Sequence, residues 1–366
     1  MFCYQSRFKM LAIMLPLLML PNLLQACQAT AQTGSADVDG PYLGQPCESK
    51  LRGLPFFANH DRTVAMPAAW VTQDIIHEAV HRDADLVITL NQDTYPVLAE
   101  EIYRYGRENG LKIGIQSGTC GTSAGKLMQK TIDSGGFCCP PGDTDRLPGL
   151  EHHTIAITAV AVMVNGNNPQ ENLSLAEARD IFQGYTRNWR ELGEHHPHDV
   201  PIEPTARLHC KARPGHWTLL LANQELFSPN LQEVGVIPDL VAKVAQERFA
   251  IGLETAFMVK ENSKPGAVKL LNIDGHAPTD IAHLASGQYP AYRTFNMTTW
   301  RDHPRRDETL KLIYHMRDYI EAHHDKYHMA PVSMLKANGW QFVNDELVAE
   351  PSGQALAQFP PNGHHH

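Results

Sequence analysis

Hydrophobic positions along the middle of the chain alternate between two periods. From Trp70 to Arg82, Val71, Ile75, Ile76, Ala79 and Val80 fall at helical spacing, and Leu86-Val87-Ile88-Thr89-Leu90 is a short β-branched run ending in a polar turn. The pattern predicts a helix from Tyr95 to Asn109, closed by Gly110, and a strand from Leu111 to Gln116. The same rhythm gives a strand over Ile155 to Asn165, a helix over Leu175 to Phe182 and a further helix after Pro214. Strands alternating with helices argue an α/β fold with mainly parallel sheets.

The ends follow other rules. Arg7 and Lys9 precede an apolar run from Met10 to Leu24 that Pro16 and Pro21 interrupt. A permanent bilayer helix needs about 20 unbroken apolar residues, so residues 1–26 read as an export signal. Leu24-Gln25-Ala26-Cys27 resembles the lipobox of bacterial lipoproteins, which makes Cys27 the expected lipid-bearing first residue. Cleavage after Ala29-Thr30-Ala31, releasing a soluble periplasmic protein, is the competing expectation. Residues 27–50 are polar, as a tether would be. The expected location is therefore the periplasm, with a lipid anchor on a bacterial membrane.

Composition narrows the chemistry. The 366 residues are 43% hydrophobic and 19% charged, enough for a substantial core and unlike a disordered chain. Lys and Arg number 31 against 40 acidic residues, and no basic run offers a footprint for nucleic acid. Two counts stand out, 20 His and 7 Cys, and they bring coordination and thiol chemistry forward. Removing the signal and lipidating Cys27 leaves Cys47, Cys120, Cys138, Cys139 and Cys210. Exported thiols often pair as disulfides.

The segment VAVMVNGNNPQENLSLAEARDIFQGYTRNWRELG, Val160 to Gly193, resembles the second-lobe signature of the phosphate-binding proteins of ABC transporters. LNQDTYPVLAEEIYRYG, IQSGTCGTSAGKLMQKTIDSGGF and VKLLNIDGHAPTDIAHLASGQYPAYRTFNMTTW agree with that family in order. The resemblance covers roughly Asp85 to Gly339 and implies a two-lobed type 2 periplasmic binding protein with two hinge crossings. It suggests lobe I over 51–158, lobe II over 159–297, a return to lobe I over 298–345 and a tail from 346 to 366. It further implies a small inorganic ligand, a monomer, and an ABC permease or a sensor kinase as partner.

Four loops would converge on the ligand in that family: Leu90 to Tyr95, Ser117 to Ala124, Asp133 to Pro140 and Arg207 to Trp217. Loops leading into helices suit anions because helix N-termini present unpaired N–H groups and a positive dipole end. From the first two, the resemblance carries over Asn91, Asp93, Thr94, Thr119, Cys120, Gly121 and Thr122. The third supplies Cys138 and Cys139, with Asp133 at its start. The fourth departs from the family's Arg followed by Gly-Ser-Gly-Thr, placing Cys210 near the Arg and Pro214-Gly215-His216 in the turn, with Arg207 or Arg213 as replacement cations.

Four of the five remaining thiols thus fall on three ligand loops. Thiolates with His209 or His216 would suit zinc, copper or a trivalent metalloid. That makes a thiophilic ion held by Cys120, Cys138, Cys139, Cys210, His209 and His216 the first expectation. Phosphate or another oxyanion, with the cysteines as disulfide braces, is the second, and a thiol-redox protein using Cys138-Cys139 the third. His152-His153, His195-His196-His198 and His323-His324-His328 fit either metal handling or exposed surface histidines. No GxSxG elbow, HExxH helix or phosphate-binding P-loop occurs, so the chain is not expected to be an enzyme.

Overall fold

The computed structural model describes residues 63–139, 141, 143–193, 199–207, 220–221 and 226–351. The export signal, the tether with Cys27 and Cys47, the His195-His196-His198 cluster and the predicted helix after Pro214 lie outside them, as do His209, Cys210, Arg213, His216 and the tail beyond Pro351.

The first βαβ unit forms as the hydrophobic pattern predicts. Strand β1, Leu86–Asn91, is buried along its whole length, as a central parallel strand covered on both faces should be. Helix α1, Tyr95–Glu108, begins with a proline in its first turn and buries Val97, Leu98, Ile102 and Tyr105. Gly110, at φ +67°, turns the chain out of it. Strand β2, Ile113–Gly118, pairs in parallel with β1, and helix α2, Cys120–Met128, leads to β3, Ser134–Phe137, on the other side of β1.

Strand β4, Leu150–Asn165, joins two halves of the sheet. Helix α3, Leu175–Gln183, follows, opened by a reciprocal Ser174–Glu177 capping box and closed by left-handed Gly184. The chain continues through β5 (Glu203–Ala206), β6 (Gln232–Glu233), α4 (Ile237–Gln246), β7 (Ala250–Thr255) and β8 (Val268–Leu270). Strand β9 (Tyr292–Trp300), helix α5 (Arg306–Tyr327) and strand β10 (Met329–Pro331) bring it back. Among the described residues the main sheet has ten strands in the order β2-β1-β3-β9-β4-β7-β5-β6, with β8 and β10 also on β4.

The change of partner along β4 defines the architecture. Leu150 to Ala159 pair antiparallel with β9, whereas Val160 to Val164 pair with β7 and Met163 to Asn165 with β8. At the switch, the Val160 amide donates to the Ala291 carbonyl, one residue before β9 begins. Two chain segments therefore cross side by side between the halves, giving the mixed α/β, two-lobed arrangement.

The segment from Trp70 to Arg82 departs from its predicted helix. Only Ala68–Val71 is α-helical, and Ala79–His81 forms a 3₁₀ turn. The apolar residues at helical spacing find no common face to bury, since Val71, Ile76 and Val80 are 48%, 65% and 79% exposed. The backbone is satisfied elsewhere: Lys130 Nζ donates to the carbonyls of Val71 and Gln73, and the Ile76 amide donates to the Lys130 carbonyl.

Candidate functional site: a charged cleft lined by thiols

The β1–α1 loop is shaped by its own side chains. Asn91 Oδ1 accepts from the amides of Asp93 (2.9 Å) and Thr94 (3.1 Å), and the Asn91 amide donates to Thr94 Oγ1 at 3.0 Å. This local bonding pattern fixes the turn into the helix. Asn91 and Thr94 therefore hold the loop, and Asp93 is the residue the loop presents.

Helix α2 opens in the same manner. Thr119 Oγ1 accepts from the Thr122 amide at 3.1 Å, and the Thr119 amide donates to Thr122 Oγ1 at 3.2 Å, a reciprocal cap that engages both hydroxyls. The cap places Cys120 at the first helical position, with Gly121 after it. Strand β3 runs close to β1 because residue 136 is glycine: a Cβ there would meet Leu90 at 2.8 Å and the Thr89 carbonyl at 3.1 Å. That approach sets Cys138 against Cys120, with sulfurs 3.4 Å apart, and the Cys138 amide donates to Cys120 Sγ at 3.4 Å.

Two buried arginines complete the cluster. Arg207, immediately after β5, donates from Nε to Glu254 Oε2 at 2.9 Å and from Nη1 to Gln92 Oε1 at 3.0 Å, and its Nη2 also reaches Glu254. Arg293, near the start of β9, has Nη1 3.6 Å from Cys138 Sγ and 3.6 Å from Asp93 Oδ2. Arg207 Nη2 lies 3.7 Å from the same Asp93 oxygen. Asp93 in one half of the sheet thus faces Arg207 and Glu254 from the other.

Burial would raise the Asp93 carboxyl, but the charges of Arg293 and Arg207 outweigh it and hold Asp93 low, at about 2. Glu254 moves the other way: burial pushes it up, Arg207 offsets part of that, and the nearby Asp93 charge adds to the rise. The Cys138 thiol is pushed well up, first by its bond with Cys120 and then by burial, so it keeps its proton. Two polar atoms of the cluster are buried without a hydrogen-bond partner, Asp93 Oδ1 and Arg293 Nε. Such atoms are rare in folded proteins and call for an explanation.

The structure brings together Asp93, Cys120 and Cys138 from the sequence-based candidates, and Asn91, Thr94, Thr119 and Thr122 support their loops. Cys139 is buried next to Cys138, and its carbonyl accepts from Asn296. Cys120, Cys138 and Cys139 are all buried, and Cys210, the other cysteine of the expected braces, lies outside the described residues. Among the described residues no group of three or more His, Cys, Asp or Glu side chains is arranged to hold a metal ion.

Asp133 sits at the far end of β3, where it accepts from the Val87 amide at 2.6 Å and pairs with His77 at 2.8 Å, a structural role. His152 and His153 are buried in β4 instead of exposed on a loop, because that strand is enclosed from His152 onward. His323 and His324 lie at the end of α5, and His328 caps it.

Arg293 and Glu254 are not among the residues of the four loops, and Gln92, within the first, is not among its candidates. Of the two candidate replacement cations, Arg207 joins the cluster while Arg213 lies outside the described residues. The signal for Arg293 and Glu254 was present: Arg293 in YRTFNMTTW and Glu254 in AIGLET are single charges inside otherwise buried strands. A charge that stays buried must be paired or used.

No family model matches the chain. The phosphate-binding protein PstS 2 of Streptococcus agalactiae is 25% identical over 119 residues, 32% of this chain and 41% of that protein. The chain therefore spans about two fifths of the length of this curated relative. Its fold is similar to that of an ABC-type phosphate transport receptor from Vibrio cholerae, with a TM-score of 0.55, 16% identity and coverage of 67% of this chain and 99% of that one. It is likewise similar to a Clostridium perfringens protein described as a phosphate ABC transporter substrate-binding protein with bound phosphate, with a TM-score of 0.54, 20% identity and coverage of 68% and 99%. The chain has a phosphate-binding-protein-like type 2 periplasmic fold. The matched proteins are receptors and binding proteins, not enzymes.

Proposed function

From a chain with the fold of phosphate-binding receptors, we propose an extracytoplasmic substrate-binding protein of the ABC type that takes a small oxyanion, phosphate first, between its two halves. The observation that carries this reading is the convergence of the Arg207 and Arg293 guanidiniums on Asp93, with Arg293 Nε and Asp93 Oδ1 buried and unpartnered. Guanidinium forks match the oxygens of phosphate-like anions. An ionised Asp93 only accepts hydrogen bonds, so it favours an oxyanion that still carries a proton over one that has none.

The oxyanion is preferred to the thiophilic ion expected from the cysteines. A metal cation bound to Cys138 would sit beside the Arg293 guanidinium, whose Nη1 is 3.6 Å from the sulfur, and like-charge repulsion opposes it. Neutral thiols can instead line an anion site as weak donors. The partner in this reading is a membrane permease, and Cys27, outside the described residues, is the expected anchor.

Isothermal titration of the reduced mature chain tests the proposal with phosphate, sulfate and zinc in turn. Saturable one-to-one binding of phosphate, with sulfate much weaker and zinc non-stoichiometric, supports it. Stoichiometric zinc with no response to phosphate would return the site to soft-metal chemistry.

A further inference from the structure

We propose that Cys120 and Cys138 are a reversible disulfide couple that turns the cleft off when oxidised. The two residues are 18 positions apart in sequence, on different loops, and both side chains are buried, yet their sulfurs lie 3.4 Å apart. A disulfide needs an S–S separation of about 2.05 Å, so a shift of little more than an ångström between the loops makes the bond. Van der Waals packing would be met by any pair of small side chains here. Two thiols in contact are the one arrangement that can be joined covalently.

The surroundings assign the order of events. Cys120 stands at the first position of a nine-residue helix, and the Cys138 amide donates to its sulfur, which makes it the sulfur that attacks first. Cys120 therefore loses its proton to solvent and attacks a disulfide oxidant, R–S–S–R, breaking its S–S bond, and the released RS⁻ takes a proton from solvent to become RSH. Cys138 then loses its proton to solvent, attacks the Cys120 sulfur of the mixed disulfide and releases the second RSH. The two cysteines give up two electrons and two protons, and the oxidant becomes two thiols. Both residues are buried, 1% and 3% exposed, so oxidation requires the two loops to open transiently.

The bond acts on the ligand groups directly. It draws the Cys138 sulfur toward α2 and away from Arg293 Nη1, now 3.6 Å from it, and removes both S–H donors from the cleft wall. The loss of affinity rests on the oxyanion reading above, while formation of the bond does not.

Oxidised glutathione applied to the mature chain, followed by alkylation and peptide mass spectrometry, tests the bond. The expected product is a cross-linked Cys120–Cys138 peptide, 2 Da lighter than the two reduced peptides together and restored by dithiothreitol. In parallel titrations, phosphate affinity should fall at least tenfold on oxidation and recover on reduction, and saturating phosphate should slow the oxidation.

Cys138→Ser should lose the cross-link and the redox sensitivity together. If it fails to fold, the mass measurement on the wild-type chain still decides. Thiols that remain alkylatable, or a cross-link joining other cysteines, would overturn the proposal. So would a Cys120–Cys138 bond that leaves phosphate affinity unchanged. A bond forming in a protein that binds no phosphate in either state would sink the oxyanion reading and the switch, while leaving the bond itself established.

Discussion

Two charge clusters in this molecule, one buried and one partly exposed, use the same residue types to opposite ends. In the cleft, Asp93, Glu254, Arg207 and Arg293 leave Asp93 Oδ1 and Arg293 Nε without partners. At the far end of β4, beside a polar cavity of about 770 Å³, the charges close on one another. There Arg146 holds Glu346 with two bonds of 3.1 and 2.6 Å, and Arg306 Nη2 meets Glu151 at 2.7 Å. Asp345 accepts from Arg317 at 2.8 Å and Tyr314 at 2.9 Å and pairs with His153 at 3.1 Å. These carboxylates and guanidiniums bond to one another and so tie β4 to the C-terminal segment. The open acceptor and donor of the first cluster are what the proposed oxyanion would engage.

The contrast predicts that substitutions in the two clusters will separate stability from binding. The largest effect is expected of Arg146→Ala, which strands Glu346 in a buried site; breaking such a pair costs about 3–5 kcal/mol, read from urea unfolding, with phosphate affinity of the folded fraction unchanged. Arg293→Lys keeps the charge and loses the planar fork, so phosphate affinity should drop on the order of 10- to 100-fold while the unfolding midpoint hardly moves.

Asp345→Asn should cost about 1–2 kcal/mol at neutral pH through weakened charge-assisted bonds. Its pH dependence is distinctive. The Asp345 carboxyl is held below its ordinary value by its bond with His153, against the opposing effect of burial, and then by Arg317. A group depressed in the folded state binds fewer protons there than in the unfolded chain, so its contribution is complete above about pH 4 and is lost as pH falls further. The variant should therefore show a flatter acid limb in thermal midpoint against pH. The smallest effect is expected of Thr119→Ala, which removes the α2 cap for about 1 kcal/mol and loosens Cys120 against Cys138, seen as faster alkylation of Cys120.

The fold was legible where periodicity and burial agree. The run Leu86 to Leu90, the helix from Tyr95 and the capped helix at Leu175 each carry a period and a stop signal, and each lies where those signals put it. Periodicity failed between Trp70 and Arg82 because spacing says which residues could share a face, and Val80 at 79% exposed shows that no surface awaited that face. The cleft was half legible. Its loops were found through resemblance, but Arg293 and Glu254 come from strands, and only the sheet order shows that they meet Asp93. Of the fourth loop, the structure describes only Arg207, one of the two cations expected there, and it joins Asp93 and Glu254.

The most direct test of the two-cluster account is the phosphate dependence of the thermal midpoint, measured side by side on the reduced wild-type chain, Arg293→Lys and Asp345→Asn. A ligand that binds only the folded state raises the midpoint with its logarithmic concentration. The account predicts that Asp345→Asn starts lower and climbs in parallel with the wild type, while Arg293→Lys starts near the wild type and needs at least tenfold more phosphate for the same rise. A wild-type midpoint indifferent to phosphate, or a response lost in Asp345→Asn and kept in Arg293→Lys, would contradict it.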